Sequence, residues 1–266
     1  MNEINNDDIK SILYEISKNF ILPKHRNLKD EDIKLKNNKD FVTSVDIRVE
    51  NELRKALQKF LPNSLFVGEE SFSNNPNILK NYNQESFCWT VDPIDGTKNF
   101  IKGEINFAVM VALTFKEKIL QSWIYKPFTG EFSFAQLNDG TYINNEKILI
   151  TKNTDIKDSI GSISSKYWEN INYNKIKNIR NRFKAVNSLG CIGFEYVDIV
   201  KSVRHFAILS KLYPWDHIPG ILLVKEAGGS VLHFDNSQYN HIIQRNNLIV
   251  SNSDNLQKKI INLINR

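Results

Sequence analysis

The chain of 266 residues is long enough for one large domain or two medium ones, and it can bury a sizeable core. Hydrophobic residues make up 41% and charged residues 24%, which is ordinary for a globular protein. The longest apolar stretch, residues 107–115, is far too short to cross a bilayer. The net charge is +5, but the basic residues are scattered in short clusters, such as residues 175–184, that do not interleave with aromatic residues. Composition therefore excludes a membrane-spanning protein and argues against nucleic acid as a partner.

Cysteine content and the first residues indicate the compartment. The first eight residues are polar and acidic, unlike a secretory signal. Two cysteines, Cys88 and Cys191, cannot build a disulfide framework. Cys88 lies in an apolar run, where we expect it to pack in the core. We therefore expect a cytoplasmic protein.

The first 91 residues show patterns typical of two helices and two strands. A helix is indicated where apolar residues recur every three or four positions and stop before a proline, and a strand where a short apolar run is bounded by polar residues. The predicted elements are a helix over residues 7–22, a helix from Thr43 or Ser44 to the residue before Pro62, a strand over residues 65–67, an exposed loop over residues 73–86 and a strand over residues 87–91.

The middle of the chain is typical of a strand meander, and the last part alternates helices with strands. The meander covers residues 105–115, 119–125 and 131–135, with turns at 127–130 and 138–140. Helices are predicted at residues 166–178, 193–201, 217–227 and 254–265, and strands at 183–186, 205–209, 230–234 and 247–250. This order predicts an N-terminal α+β lobe over residues 1–150 and a C-terminal α/β lobe over residues 151–266, with a site between them.

Residues 89–100, Trp-Thr-Val-Asp-Pro-Ile-Asp-Gly-Thr-Lys-Asn-Phe, carry the most informative pattern in the chain. Asp92 and Asp95 flank Pro93, which is expected to stop the preceding strand because it cannot donate to a ladder. Two carboxylates this close repel each other unless a cation lies between them, and a hard divalent cation with oxygen ligands is the usual solution. The following Gly-Thr pair is expected to open a helix whose N–H groups can hold a phosphate. The pattern predicts chemistry on a phosphate ester; the alternative is that Asp-Pro and Asp-Gly merely mark turns.

Other acidic residues follow apolar runs or lie at helix starts. Glu69 and Glu70 follow the strand predicted at residues 65–67, Asp46 opens a helix, and Asp216 precedes one. Taken singly, Asp46 and Asp216 are well explained as helix N-caps. Their joint order and spacing favour a shared site instead.

These segments resemble the inositol monophosphatase family, magnesium-dependent and lithium-sensitive phosphomonoesterases of the sugar-phosphatase fold. The motifs that carry the resemblance span nearly the whole chain and are Asp40-Phe-Val-Thr-Ser-Val-Asp46, Gly68-Glu-Glu-Ser71, Trp89 to Phe100, and Trp215-Asp216 through Glu226-Ala-Gly-Gly229. The resemblance implies a mixed α+β and α/β fold, layered as an αβαβα sandwich. It also implies a phosphoric monoester hydrolase that forms a homodimer and acts on a small phosphorylated metabolite.

The resemblance assigns roles to the matching residues and implies two to three Mg²⁺ ions per site. The implied metal ligands are Glu69, Asp92, the carbonyl of Ile94, Asp95 and Asp216. Catalytic roles are implied for Asp46 and Thr97, which would position and deprotonate the attacking water, and for Glu69. The implied substrate contacts are Asp95, Gly96, Thr97, Gly190, Cys191, Lys211 and Asp216. Because metal ions can clamp the attacking and leaving oxygens of a phosphate ester, no Cys or Ser nucleophile is required.

Four positions depart from the family pattern. Lys98 replaces Thr or another small residue and is expected to point to solvent, the alternative being contact with a second phosphate. Leu209 replaces an acidic residue that contacts sugar hydroxyls in inositol-phosphate members. Cys191 and Ile192 replace smaller residues at a helix start on the substrate side. His217, next to Asp216, is expected to be a partly exposed residue at another helix start, the alternative being a contact with substrate.

These departures leave the substrate open. Inositol 1-phosphate is the substrate that the resemblance implies first. The alternatives on the same scaffold are a 3′(2′),5′-bisphosphate nucleotide such as 3′-phosphoadenosine 5′-phosphate, fructose 1,6-bisphosphate and histidinol phosphate. If Lys98 and Lys211 face the pocket, they favour a substrate with two anionic groups. An alternative of another class is an RNA- or transcription-associated binding protein that retains the fold.

Overall fold

The fold is organised around two β-sheets with helices between and outside them. The computed structural model describes residues 4–36, 40–152, 155–164, 168, 170–243 and 245–265. Within these ranges the strands form a seven-stranded sheet, a five-stranded sheet and a two-stranded hairpin. No helix in the same ranges is long and apolar enough to cross a membrane.

The first outer layer consists of two helices packed on the seven-stranded sheet. Val45, Val49, Leu53 and Leu57 recur at helical spacing, are buried, and pack in one cluster with Trp89 of the sheet. Burial of one such aliphatic side chain contributes roughly 1.5–3 kcal/mol. The helices are α1 (Asn6–Ile16), continued by a π-helical turn (Ser17–Ile21), and α2 (Ser44–Phe60).

A short hairpin and a short helix flank the start of the large sheet. The hairpin strands are β1 (Ile33–Leu35) and β2 (Phe41–Thr43), and the first strand of the sheet, β3 (Leu65–Gly68), leads into α3 (Glu69–Asn74). The exposed loop predicted at residues 73–86 is wrong in part, because a 3-10 helix (Pro76–Asn83) lies there. Its Tyr82 is buried with the hydroxyl 2.8 Å from Thr90 Oγ1, which anchors the segment.

The other strands of the large sheet form a meander. They are β4 (Phe87–Asp95), β5 (Ala108–Phe115), β6 (Lys118–Lys126), β7 (Glu131–Gln136), β8 (Gly140–Ile143) and β9 (Glu146–Ile148). The sheet runs in sequence order from β3 to β9, and only the β3–β4 pair is parallel. The predicted meander is confirmed, and β8 and β9 extend it beyond the prediction.

Strand β4 continues through Pro93 instead of stopping before it. Its pairing with β5 shifts register between Asp92 and Asp95, so the proline lies in an irregular part of the ladder. The predicted strand end was therefore wrong. The predicted helix opening is confirmed by α4 (Thr97–Ile101), which starts two residues after the strand.

Two helices form the layer between the sheets. They are α6 (Ile192–Val200) and α7 (Pro214–Glu226). The helix that precedes them in the chain, α5 (Asn170–Ile179), belongs to another layer. One apolar core joins both helices to Met110 of the large sheet and to Ala207 and Val250 of the smaller one. This shared core fixes the two sheets relative to each other.

The five-stranded sheet has the order β11-β10-β12-β14-β13. Its strands are β10 (Ile160–Ile163), β11 (Ala185–Val186), β12 (Phe206–Leu209), β13 (Ser230–His233) and β14 (Leu248–Ser251). Helix α8 (Asp254–Ile264) packs with α5 on the outer face of this sheet. The layers therefore follow the order α, β, α, β, α, and the predicted sandwich is confirmed; the lobe boundary at residue 150 stays a prediction.

Two helix predictions in the second half need comment. Helix α7 begins at Pro214 rather than at residue 217, because proline suits the first helical turn, where its missing N–H is not needed. The helix predicted at residues 166–178 is seen from residue 170, and residues 166, 167 and 169 lie outside the described part of the chain.

Candidate active site

One cavity of about 340 Å³ brings together most of the predicted site residues. Those that line it are Glu69, Asp92, Ile94, Asp95, Gly96, Thr97, Gly190, Cys191, Lys211 and Asp216. Asp46 is fully buried and contacts a cavity residue, Thr97, through a hydrogen bond. Residues predicted from four separate motifs are therefore close in space.

The end of β4 places two aspartates beside the start of α4. Asp92 is buried, and its Oδ1 accepts a hydrogen bond from the N–H of Ile94 at 3.0 Å. Gly96, between Asp95 and α4, has φ +89°, and a Cβ there would lie 2.9 Å from the carbonyl oxygen of Asn106. Only glycine fits this turn without strain, so the turn fixes where α4 begins.

Thr97 and Asp46 form a hydrogen-bonded pair. The Thr97 hydroxyl lies 3.2 Å from Asp46 Oδ1 and 3.0 Å from the carbonyl oxygen of Ile94. Asp46 Oδ2 accepts hydrogen bonds from the N–H and the hydroxyl of Thr43 at 2.9 and 2.5 Å. Thr43 is thus the N-cap of α2 and Asp46 completes a capping box, so the N-cap interpretation of Asp46 was wrong. Burial raises the pKa of Asp46 to about 6, against the opposing effect of the Thr43 hydrogen bonds.

The start of α6 holds Asp95. Its Oδ2 accepts hydrogen bonds from the N–H of Gly193 at 2.6 Å and from Cys191 Sγ at 2.9 Å, and its Oδ1 accepts one from the N–H of Ile192 at 3.2 Å. A carboxylate at a helix N-terminus is favoured by the helix dipole. Burial nevertheless raises the pKa of Asp95 to about 6. Cys191 therefore contacts Asp95 as well as lining the cavity.

Lys36 forms ion pairs with two glutamates at the start of α3. Its Nζ lies 2.9 Å from Glu69 Oε1 and 2.8 Å from Glu70 Oε1. Burial lowers the pKa of Lys36, but the two glutamates outweigh it and raise that pKa above its ordinary value. Burial, with the charge of Glu69, raises the pKa of Glu70 to about 8. Sequence reasoning missed Lys36, because it is one lysine among several in a polar segment.

Asp216 lies inside the first turn of α7. Helix α7 starts at Pro214, so Asp216 is its third residue and not an N-cap, and that interpretation was wrong as well. The adjacent Trp215 packs against Phe72 with ring centroids 5.0 Å apart, which anchors this turn. Burial, followed by the negative charges of Glu69 and other carboxylates, raises the pKa of Asp216 well above its usual range.

Glu195 of α6 also lines the cavity and organises the loop before that helix. Glu195 Oε1 accepts hydrogen bonds from the Ser188 hydroxyl and the Leu189 N–H, each at 2.8 Å, and Oε2 accepts one from Ser162. Gly190, next in this loop, has φ +68°. Glu195 was not predicted, although a glutamate in the first turn of a mostly apolar helix is a signal that could have been used.

The departures from the family pattern have mixed outcomes. Lys98 is exposed, as expected, but it also lines the cavity, together with Leu209 and Lys211. His217 is buried, contrary to expectation, because its ring lies between the Tyr196 hydroxyl at 3.0 Å and the Lys211 carbonyl oxygen at 3.2 Å. Burial lowers the pKa of His217 to about 4, so the ring is neutral.

Comparison with known proteins decides the family. The model of the inositol monophosphatase family matches residues 6–266. The chain belongs to this family. Membership makes the protein a phosphoric monoester hydrolase, as the resemblance implied.

Relatives of this phosphatase carry more than one name. A Thermotoga maritima protein named fructose-1,6-bisphosphatase/inositol-1-monophosphatase is 27% identical over 214 residues, which cover 80% of this chain and 78% of that protein. A Vibrio cholerae protein named Nus factor SuhB is 27% identical over 206 residues, covering 75% of this chain and 74% of that protein.

Solved structures share the fold. The suppressor protein SuhB from Bartonella henselae has a TM-score of 0.85 at 21% identity and covers 98% of both chains. A Staphylococcus aureus inositol monophosphatase-II with inositol monophosphate bound has a TM-score of 0.80 at 21% identity, covering 97% of this chain and 93% of that one.

Members of this family are generally metal-dependent, and the side chains of this phosphatase suit a divalent cation in their chemistry. Burial and mutual repulsion raise the pKa of Asp92, as they do for Asp216, and all the predicted donors are hard oxygen ligands. In the part of the chain that the structure describes, no three acidic, histidine or cysteine side chains form a closed metal site. The oxygen ligands are thus of the right chemical type for a divalent cation, which would offset their negative charge. Their side chains do not yet converge on one coordination point.

The acidic cluster gives this phosphatase a testable pH dependence of stability without metal. Folding raises the pKa of Glu70 to about 8 and the pKa values of Asp46 and Asp95 to about 6. At pH values between the ordinary pKa of each group and its raised pKa, the folded chain therefore binds more protons than the unfolded chain. Their stabilising contribution is complete at low pH and is lost as the pH rises through about 6 and about 8.

In EDTA we expect Tm to rise as the pH is lowered from 8 to 6.5, by roughly 2–4 °C for each kcal/mol gained. The window stops at 6.5 because buried His217 and His241, whose pKa values are lowered to about 4, oppose the effect below it. Scanning calorimetry measures Tm, and Mg²⁺ added at pH 8 should raise it. A fall in Tm over this window would contradict the raised pKa values.

Proposed function

We propose that this phosphatase hydrolyses a small phosphate monoester of the inositol 1-phosphate type, with two to three Mg²⁺ ions and water as the nucleophile. The proposal is carried by one observation. The Thr97–Asp46 pair contacts the same cavity that Asp92, Asp95 and Asp216 line. Phosphoryl transfer to water needs a proton acceptor, ligands for the metal ions and N–H groups that hold the phosphate, as at a helix start.

In this proposal the metal ligands are Glu69, Asp92, Asp95, Asp216 and the carbonyl of Ile94. Bound Mg²⁺ supplies positive charge that stabilises the transferring phosphoryl group and acidifies water. The N–H groups of Gly96 and Thr97, at the start of α4, lie where a helix leaves donors without internal partners, and they hold the phosphate oxygens.

The chain's own proton acceptor is the Thr97–Asp46 pair. The attacking water gives one proton to the Thr97 hydroxyl oxygen, while that hydroxyl passes its own proton to Asp46 Oδ1, 3.2 Å away. The water oxygen forms a new bond to phosphorus while the ester P–O bond breaks, and the departing oxygen takes a proton from solvent. Asp46 can accept the proton only when ionised, that is above its pKa of about 6.

A second candidate substrate carries two anionic groups, as fructose 1,6-bisphosphate does. The observation that favours it is that both Lys98 and Lys211 line the cavity, whereas Leu209 offers sugar hydroxyls no acceptor. Lysine is a common phosphate-binding residue. The Thermotoga relative, whose name includes both activities, is consistent with this choice.

A substrate panel tests the proposal. Inositol 1-phosphate, fructose 1,6-bisphosphate, 3′-phosphoadenosine 5′-phosphate and histidinol phosphate are each incubated with the protein and Mg²⁺, with and without Li⁺, and phosphate release is measured. We expect Mg²⁺-dependent release that Li⁺ inhibits, and a higher kcat/KM for a bisphosphate if the two lysines select it. Folded protein that releases no phosphate from any of them would favour a binding protein, the role suggested by relatives named Nus factor.

We further propose a cytoplasmic homodimer. The buried and unbridged state of Cys88 and Cys191 supports a reducing compartment. Sedimentation at micromolar concentration tests the dimer.

A further inference from the structure

Helix α3, which begins with Glu69, has no cap from its own sequence. The N-cap position is Gly68, which has no side chain to accept a hydrogen bond from the first turn. The first N–H groups of a helix lack internal partners, and an N-cap side chain normally accepts from the second or third residue. Another part of the fold has to supply that acceptor.

Glu50, on α2, takes the place of the missing cap. Its Oε2 accepts the N–H of Glu70 at 2.7 Å, and its Oε1 accepts the N–H of Ser71 at 2.9 Å and also the Ser71 hydroxyl. These are the second and third residues of α3. The carboxylate is only 3% exposed, and Arg54, one turn later on α2, lies 3.8 Å from it. Three donors and a nearby cation offset part of the cost of its burial, which still raises the pKa of Glu50.

Gly68 is the residue that lets the carboxylate approach. A Cβ at position 68 would lie 2.3 Å from Glu50 Oε2 and 2.4 Å from Glu50 Cδ, so any larger residue would displace the side chain. The Gly-Glu-Glu-Ser motif therefore contains both the space for Glu50 and, in Ser71, one of its donors.

Glu50 also lies one helical turn after Asp46 on the same face of α2. Asp46 contacts Thr97 on one side, and Glu50 fixes the start of α3 on the other. One rigid helix thus connects the proton acceptor to the segment that carries Glu69. Hydrogen-bonded groups behind a ligand commonly decide how well that ligand is oriented.

We propose that Glu50 is a positioning residue that caps α3 from outside, holds Glu69 in the site and thereby sets the affinity for the divalent cation. This inference rests on the proposed function, in which Glu69 is a metal ligand. Glu50 itself touches neither substrate nor cation in this assignment.

The test is the variant Glu50→Gln. Glutamine keeps the shape but turns one acceptor into an NH₂ group that faces a backbone N–H, so α3 loses part of its cap. We expect the Mg²⁺ concentration for half-maximal activity to rise by roughly 10–100-fold, while kcat at saturating Mg²⁺ stays close to that of the unchanged protein. Calorimetric titration of the metal-free protein with Mn²⁺ should show the same loss of affinity without reference to activity.

Two further variants serve as controls. Glu52→Gln makes the same chemical change on the same helix, but Glu52 pairs with Arg48 and Lys55 near the surface, and we expect no change in Mn²⁺ affinity. Ser71→Ala removes one donor to Glu50 and leaves the backbone bonds, so a smaller loss of affinity is expected. If circular dichroism shows that Glu50→Gln is unfolded, the Mn²⁺ affinity of Ser71→Ala tests the inference in its place, and an unchanged affinity would overturn it.

Unchanged Mn²⁺ affinity in folded Glu50→Gln would overturn the inference. So would a lower kcat at saturating Mg²⁺ with unchanged affinity, because that result indicates general structural damage. If the unchanged protein hydrolyses no phosphate ester, the proposed function fails, and the Mn²⁺ titration still decides whether Glu50 controls a cation site.

Discussion

Replacement of Asp92 by Asn is expected to lower kcat by about three orders of magnitude while leaving the fold intact. Asp92 lies at the irregular end of β4, with its carboxylate buried and facing the cavity shared with Asp95 and Asp216. Asn keeps the shape but removes one negative charge from the donor set. Charge stabilisation by metal ions is worth several kcal/mol, and a loss of about 4 kcal/mol corresponds to roughly a thousandfold.

The same variant should have the opposite effect on stability without metal. Burial, then the charges of Glu69, Asp95 and Asp216, raises the pKa of Asp92 well above its usual range. Asp92→Asn removes this repulsion, so Tm in EDTA at pH 8 should rise. The control is Asp235→Asn, which removes one charge from a half-exposed partner of Arg245; it should leave kcat unchanged and should not raise Tm, because the hydrogen bonds to Asp235 favour its ionised form. Retained Mg²⁺-dependent turnover in Asp92→Asn would show that the metal assignment is wrong.

Much of the layered fold follows from local pattern. The burial of Val45, Val49, Leu53 and Leu57 agrees with their helical spacing, and the meander in the large sheet agrees with its apolar runs. What local pattern could not supply is the path of the chain at Pro93. Proline normally ends a strand, but here the register shift accommodates it, and that shift depends on β5 as well as on β4.

The same distinction applies to the site. Motif residues such as Asp92 and Thr97 were predicted because their spacing along the chain carries the signal. Lys36 and Glu50 were not predicted, and His217 was wrongly expected to be partly exposed. The partners of these three residues lie on segments that are distant in sequence or belong to another element. Glu50 and His217 therefore have no local signature, because the partners that explain their burial lie elsewhere in the fold.

Replacement of Asp46 by Asn should lower kcat by about 10²–10⁴-fold, the usual range for loss of a general base. Asn can still accept from the Thr43 N–H, so α2 keeps most of its cap, but it cannot take a proton from Thr97. In the unchanged protein, kcat should rise with pH up to about 6, because burial raises the pKa of Asp46 to about 6 and only the ionised carboxylate accepts a proton. Bound Mg²⁺ shifts this rise only towards lower pH.

The pH profile separates this chemical role from a structural one. Asp46→Asn should lose the rising limb near pH 6 as well as activity, whereas Thr97→Ser, which keeps a hydroxyl beside Asp46, should retain both the limb and most of the activity. Stopped assays of phosphate release between pH 5 and pH 9 at saturating Mg²⁺ measure the profile. If Asp46→Asn kept the limb, another group would be titrating, and the assignment of Asp46 as the proton acceptor would be wrong.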